Sequence, residues 1–136
     1  MSKTTGGRRD VLNKYIAKKW EVHYSNFIMK YSDNIQWLSL SRIPNLTFKI
    51  VNDNPNKPWI WYRISQNSNM TMEIIKNNPN EPWDWNGVSQ NPNLTLEFIK
   101  LYPHQGWDWG HISSNKNMTM EIIKNNPNEP WKWEWI

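Results

Sequence analysis

The chain has no cysteine, which excludes disulfides and thiolate metal sites. It also lacks any run approaching the ~20 apolar residues of a membrane span. The first ten residues, Met1-Ser-Lys-Thr-Thr-Gly-Gly-Arg-Arg-Asp10, contain no hydrophobic signal core, so the expected setting is inside a cell rather than secreted. Glycine is scarce, and no Gly-rich phosphate loop, paired-carboxylate site or Ser–His–Asp set can be assembled from the sequence. A non-enzymatic protein without a cofactor is the expectation. Basic charge is missing from most of the chain as well. Residues 1–20 hold six basic residues against Asp10, while the remainder carries 10 basic and 11 acidic residues. A nucleic-acid groove along the whole length would need a basic stripe, and there is none.

What the chain has is tryptophan at a fixed interval. Trp59, Trp83, Trp107 and Trp131 recur every 24 residues, and Trp61, Trp85, Trp109 and Trp133 follow each by two. The stretch from Asn69 to Trp83 repeats letter for letter from Asn117 to Trp131. A constant period of this length marks a stacked array of supersecondary units.

Each period contains two short apolar segments between turn signals such as Asn78-Pro-Asn80 and Asn91-Pro-Asn93. The first segment, Leu94-Thr-Leu-Glu-Phe-Ile-Lys100, reads as a helix with Thr95 as N-cap and Glu97 in its first turn. Leu94 and Ile99 then occupy the positions of a hydrophobic staple, as do Leu46 with Val51, Met70 with Ile75 and Met118 with Ile123. The helix is expected to stop near Asn78 and its equivalents, because a residue before proline leaves the α region. The second segment, Asn80 to Ser89, reads as another short helix with Pro82 in its first turn. On such a helix the rings of Trp83 and Trp85 face opposite ways, one toward its own unit and one toward a neighbour.

The expected fold is therefore all-α: an α-solenoid of 24-residue two-helix repeats over residues 34–136. The rival architecture with this period, the leucine-rich repeat, requires a Leu-x-Leu strand in each unit. Here apolar residues recur at i+3 and i+4, and proline falls twice per period. Upstream, residues 1–9 read as a flexible basic tail, and residues 10–33 as N-terminal capping helices, with Asp10 as an N-cap and a cationic outer face.

The combination Val88-Ser-Gln-Asn-Pro-Asn-Leu-Thr-Leu-Glu-Phe-Ile99 with Pro82-Trp-Asp-Trp85 resembles the Asn-Pro-Asn / Pro-Trp-x-Trp tandem repeat of uncharacterised giant DNA virus proteins. The resemblance covers residues 34–136 and departs from the pattern at Ile35, where a tryptophan is expected, and at Gly106, where proline is. It implies a viral protein acting in the host cytoplasm or the virion, and implies no activity.

Most residues that invite a functional reading have a structural one. The evenly spaced indoles fit an internal packing ladder better than a stacking platform for bases or sugars. The asparagines sit at turns, where capping competes with base readout. Asn45, Asn69, Asn93 and Asn117 begin formal glycosylation sequons, yet each is also the residue preceding a staple and an N-cap. His104 and His111 near Asp108 sketch a metal site, but nothing in the pattern gathers them.

Two features exceed what a repeat demands. Trp131, Trp133, Trp135 and Ile136 lie where no following unit covers them, which suggests an interface for a protein partner or for self-assembly into a homo-oligomer. Arg8, Arg9, Lys14, Lys18 and Lys19 could contact phosphates or an acidic surface. The leading expectation is a scaffold for protein–protein interaction or self-assembly. The alternative is a nucleic-acid-associated protein using the basic arm.

Overall fold

The computed structural model describes residues 5–31 and 36–136, excepting the side chains of residues 5–7, 9, 24, 25 and 27–31. Among the described residues it is all-α, without strands. It divides into two compact units, residues 1–36 and 37–136, taken here separately.

The first unit contains α1, Thr5–Tyr31. This helix begins before Asp10, the N-cap expected from the sequence, so the described part of the anticipated tail (residues 5–9) is helical. It then runs unbroken to Tyr31, a single helix where residues 10–33 were expected to form more than one. Its apolar residues Val11, Leu12, Tyr15, Ile16 and Trp20 are exposed. Tyr15 and Lys19 share a face at i and i+4, and the Lys19 ammonium lies 5.1 Å from the Tyr15 ring centre.

The second unit is a succession of helices of four to six residues. The first-half helices are α3 (Phe48–Asp53), α5 (Met72–Asn77), α7 (Leu96–Leu101) and α9 (Met120–Asn125). Interleaved with them are α2 (Trp37–Leu40), α4 (Trp61–Gln66), α6 (Trp85–Ser89), α8 (Trp109–Ser113) and a final 3-10 turn, Trp133–Trp135. Such helices are far below the ~12–15 residues at which an isolated helix becomes even marginal. Their stability must come from caps and neighbours.

The caps follow the expected pattern. The Thr71, Thr95 and Thr119 hydroxyls accept from the N–H groups of Ile74, Phe98 and Ile122 at 3.2–3.3 Å. Glu73, Glu97 and Glu121 stand in the first turns. The staple residues Leu46, Met70, Leu94 and Met118 are buried, as are Val51, Ile75, Ile99 and Ile123. Each first-half helix is capped by the residue before proline: the C-cap of α5 is Asn78, with φ −126° and ψ 61°.

The second-half helices start later than the sequence suggests. Pro82 and Trp83 precede α6, and Asp84 is the N-cap, extended at φ −88° and ψ 111° and accepting from the Gly87 N–H at 2.8 Å. The start is common to the units: α4 opens at the same register behind Ile60, which has no side-chain cap bond, and what the units share is the bond from the cap residue's N–H to the serine nineteen residues earlier. Trp83 therefore lies outside the helix, and a helical wheel does not describe where its ring goes. In space α4 packs on α6, α6 on α8, and α8 on the final turn, each one period from the next.

Candidate functional site at the repeat junctions

The recurring serine, asparagine and tryptophan residues meet at the boundaries between successive units. Ser41, Ser65, Ser89 and Ser113 are buried. Each hydroxyl accepts from a backbone N–H nineteen residues later, that of Ile60, Asp84, Asp108 or Lys132, at 2.9–3.0 Å. Ser41 and Ser89 also donate to the carbonyls of Trp37 and Trp85 in the preceding turn of their own helices. A hydroxyl that donates within one helix and accepts from the next unit's cap residue ties the two together.

The asparagines do likewise. The Asn91 side chain is fully buried, and its Nδ2 donates to the carbonyls of Ser65, Asn67 and Met70 at 2.8–3.1 Å. Its Oδ1 accepts from the Asn93 N–H at 2.8 Å, closing an Asx turn. Asn67 and Asn115 make the corresponding bonds to Ile43 O and Asn91 O. The amide nitrogens of Asn69 and Asn117, the acceptor atoms of two sequons, donate to Pro44 and Leu46 and to Pro92 and Leu94 respectively. Asn93 donates to Ser68 O at 2.6 Å. These amides are engaged in joining units.

The paired tryptophans divide their labour. The first of each pair folds back on its own unit, its Nε1–H donating to the carbonyl five residues earlier: Trp59 to Asn54, Trp83 to Asn78, Trp107 to Tyr102 and Trp131 to Asn126, at 2.8–2.9 Å. The second of each pair receives the first indole of the following unit edge to face. Trp37–Trp59, Trp61–Trp83, Trp85–Trp107 and Trp109–Trp131 lie 5.0–5.3 Å apart between ring centres, at interplanar angles of 73–90°. That geometry is favourable for the ring quadrupoles, at about 0.5–1.5 kcal/mol per pair beyond burial.

This pattern revises the expected interface. Trp131 is 6% exposed, bonded to Asn126 and covered by Trp109, so it has no free face. Trp133, Trp135 and Ile136 are exposed by 64%, 55% and 44%. Trp133 occupies the receiving position that Trp37, Trp61, Trp85 and Trp109 fill in earlier units. Among the basic residues of α1, Arg8, Lys14, Lys18 and Lys19 are exposed, and the Arg9 side chain lies outside the described residues.

Asp108 and His111 do meet, through capping. Asp108 accepts from the His111 N–H at 3.1 Å, and its other carboxylate oxygen lies 3.0 Å from the imidazole Nδ1. The backbone N–H of His111 holds the Asp108 carboxyl below its ordinary 3.8, outweighing the upward push of partial burial, with the imidazole assisting. His104 is exposed, and among the described residues no three His, Asp or Glu side chains gather to hold a metal ion. No described helix is long and apolar enough to cross a membrane.

No protein-family model matches this sequence, and neither a curated protein nor a solved structure matches it.

Proposed function

We propose that the chain is a non-enzymatic scaffold for protein–protein interaction or self-assembly, organised as an α-solenoid of 24-residue two-helix units. The observation that carries this reading is the use made of the repeated polar and aromatic residues. Ser89, Asn91, Asn115 and the Trp85–Trp107 pair all join one unit to the next, leaving none of them to handle a substrate. The exposed indoles of Trp133 and Trp135, with Ile136, supply the proposed partner surface. The resemblance to giant-virus tandem repeats extends the proposal to a protein working in host cytoplasm or virion.

The test is sedimentation of the intact chain over a range of concentrations. Mass that grows with concentration, and falls back in the Trp133→Ala/Trp135→Ala variant, supports self-assembly through this surface. A chain that stays monomeric at high concentration removes it. The second reading, nucleic-acid binding, rests on the exposed Arg8, Lys14, Lys18 and Lys19. It predicts salt-dependent retention on DNA or RNA that disappears when residues 1–20 are deleted.

A further inference from the structure

Beyond the junctions and the exposed indoles, one cavity carries charge that the repeat does not require. It has a volume of about 410 Å³ and is lined by Arg42, Pro44, Arg63, Gln66, Asn67 and Ser68, with Pro92 at its edge. Two periods along, Gln90, Pro92, His111, Ser114, Asn115 and Lys116 line a cavity of about 360 Å³ at the same positions. The shape thus belongs to the repeat, through its prolines and its junction asparagines. The charge does not. Arg42 is replaced by Gln66, Gln90 and Ser114 in later units, and Arg63 by Gly87 and His111.

The two arginines are also unneutralised. At the second cavity His111 has Asp108 three residues before it, 3.0 Å away. At the first, the residue three before Arg63 is Ile60. Among the described residues neither Arg42 nor Arg63 pairs with a carboxylate. Guanidinium groups left without an anion in a concave site are matched to a planar carboxylate, which they grip through parallel N–H donors.

Arg42 is exposed, so a carboxylate arriving on a partner's side chain meets its guanidinium directly. A nucleic-acid strand suits the site less well, because one period on Arg42 and Arg63 give way to Gln66 and Gly87, so no basic stripe continues from unit to unit.

We propose that the Arg42–Arg63 cavity is a docking site for an acidic side chain of a partner peptide. The site is separate from Trp133 and Trp135, and its occupation does not depend on self-association. The probes are a short fluorescein-labelled Gly-Ser peptide with a central Glu-Glu, its Gln-Gln counterpart, and an oligothymidylate of equal length. Anisotropy is read on the intact chain at low salt. The Glu-Glu peptide should bind, the Gln-Gln peptide should bind at least about tenfold more weakly, and Arg42→Gln/Arg63→Ser should weaken the Glu-Glu peptide at least about tenfold. Lys116→Gln and Lys14→Gln/Lys18→Gln/Lys19→Gln should leave binding unchanged. Circular dichroism checks that the variant is folded. If it is not, Arg42→Gln alone, which introduces the residue of two later units, serves with the peptide comparison on the unaltered protein. Absence of Glu-Glu binding, binding indifferent to the arginines, or binding lost with the α1 lysines overturns the proposal. So does oligothymidylate binding that is as tight and depends on the same two arginines.

Discussion

The Ser65 hydroxyl accepts a hydrogen bond from the backbone N–H of Asp84, nineteen residues further on and 2.9 Å away. Asp84 is itself the N-cap of α6, so one serine orients the start of the next unit's helix. The same relation holds for Ser89 and Asp108, where the serine is fully buried and the aspartate half-buried. Ser89→Ala leaves the Asp108 N–H without its acceptor and should cost about 1–3 kcal/mol in urea unfolding. Ser114→Ala, at an exposed position, should stay within about 0.5 kcal/mol.

Asn91 is the most demanding of the junction residues. Its amide donates to three carbonyls, and no water reaches it. Asn91→Asp removes the donors and points a carboxylate at carbonyl oxygens. The acid's native-state pKa must then rise above the ~3.9 of an unfolded Asp. A raised acid binds its proton more tightly in the native state, so the variant loses stability as pH rises through about 4. The stability of Asn91→Asp should therefore improve relative to the parent as pH falls toward about 4. A deficit that does not vary with pH would show that the residue is not held among carbonyls.

Asp108 titrates in the opposite sense. Its native carboxyl sits below 3.8, chiefly because the His111 N–H favours the ionised form. The stabilisation is complete above the unfolded value and is lost as pH falls through the native one. A carboxyl resonance followed by NMR should show a midpoint below 3.8 in the folded protein. In the His111→Pro variant, which lacks that N–H, the α8 cap should be lost with it.

Two glycines make an internal comparison. A Cβ at Gly87 would lie 2.5 Å from the Tyr62 carbonyl oxygen in α4, so Gly87→Ala should cost about 1–3 kcal/mol through displaced backbone. At Gly106 a Cβ meets nothing within 4 Å. The tight turn there, with Trp107 N–H bonded to Gln105 O at 2.8 Å, matches those centred on Pro58, Pro82 and Pro130. Gly106→Pro should accordingly stabilise by about 0.4–1 kcal/mol by restricting the unfolded chain.

Much of this fold is legible in the sequence because its devices are local. Thr95 three residues before Phe98, and Leu94 five before Ile99, are short-range patterns that repetition makes unambiguous. The junctions are not local. Nothing near Ser65 signals that its partner is Asp84, and only recurrence at the period hinted that the serine had a fixed task. Trp83 was misplaced onto a helix because Pro82 was read as its first turn, whereas the helix opens after Asp84, whose N–H is held by Ser65. The Arg42–Arg63 cavity was invisible for the opposite reason. Its residues change from unit to unit, and only the folded chain brings positions 42 and 63 to one wall.

The central claim is that each 24-residue unit is a link whose contacts reach the next one in register. Excision of residues 67–90, which places Asn91 directly after Gln66, tests it in one measurement. The shortened chain should remain helical and unfold cooperatively, with lower stability because one set of junction bonds is gone. Removing only residues 67–78, half of that length, should abolish the cooperative transition. If the full-period deletion unfolds the protein as completely as the half-period one, the units are not interchangeable links and the account fails.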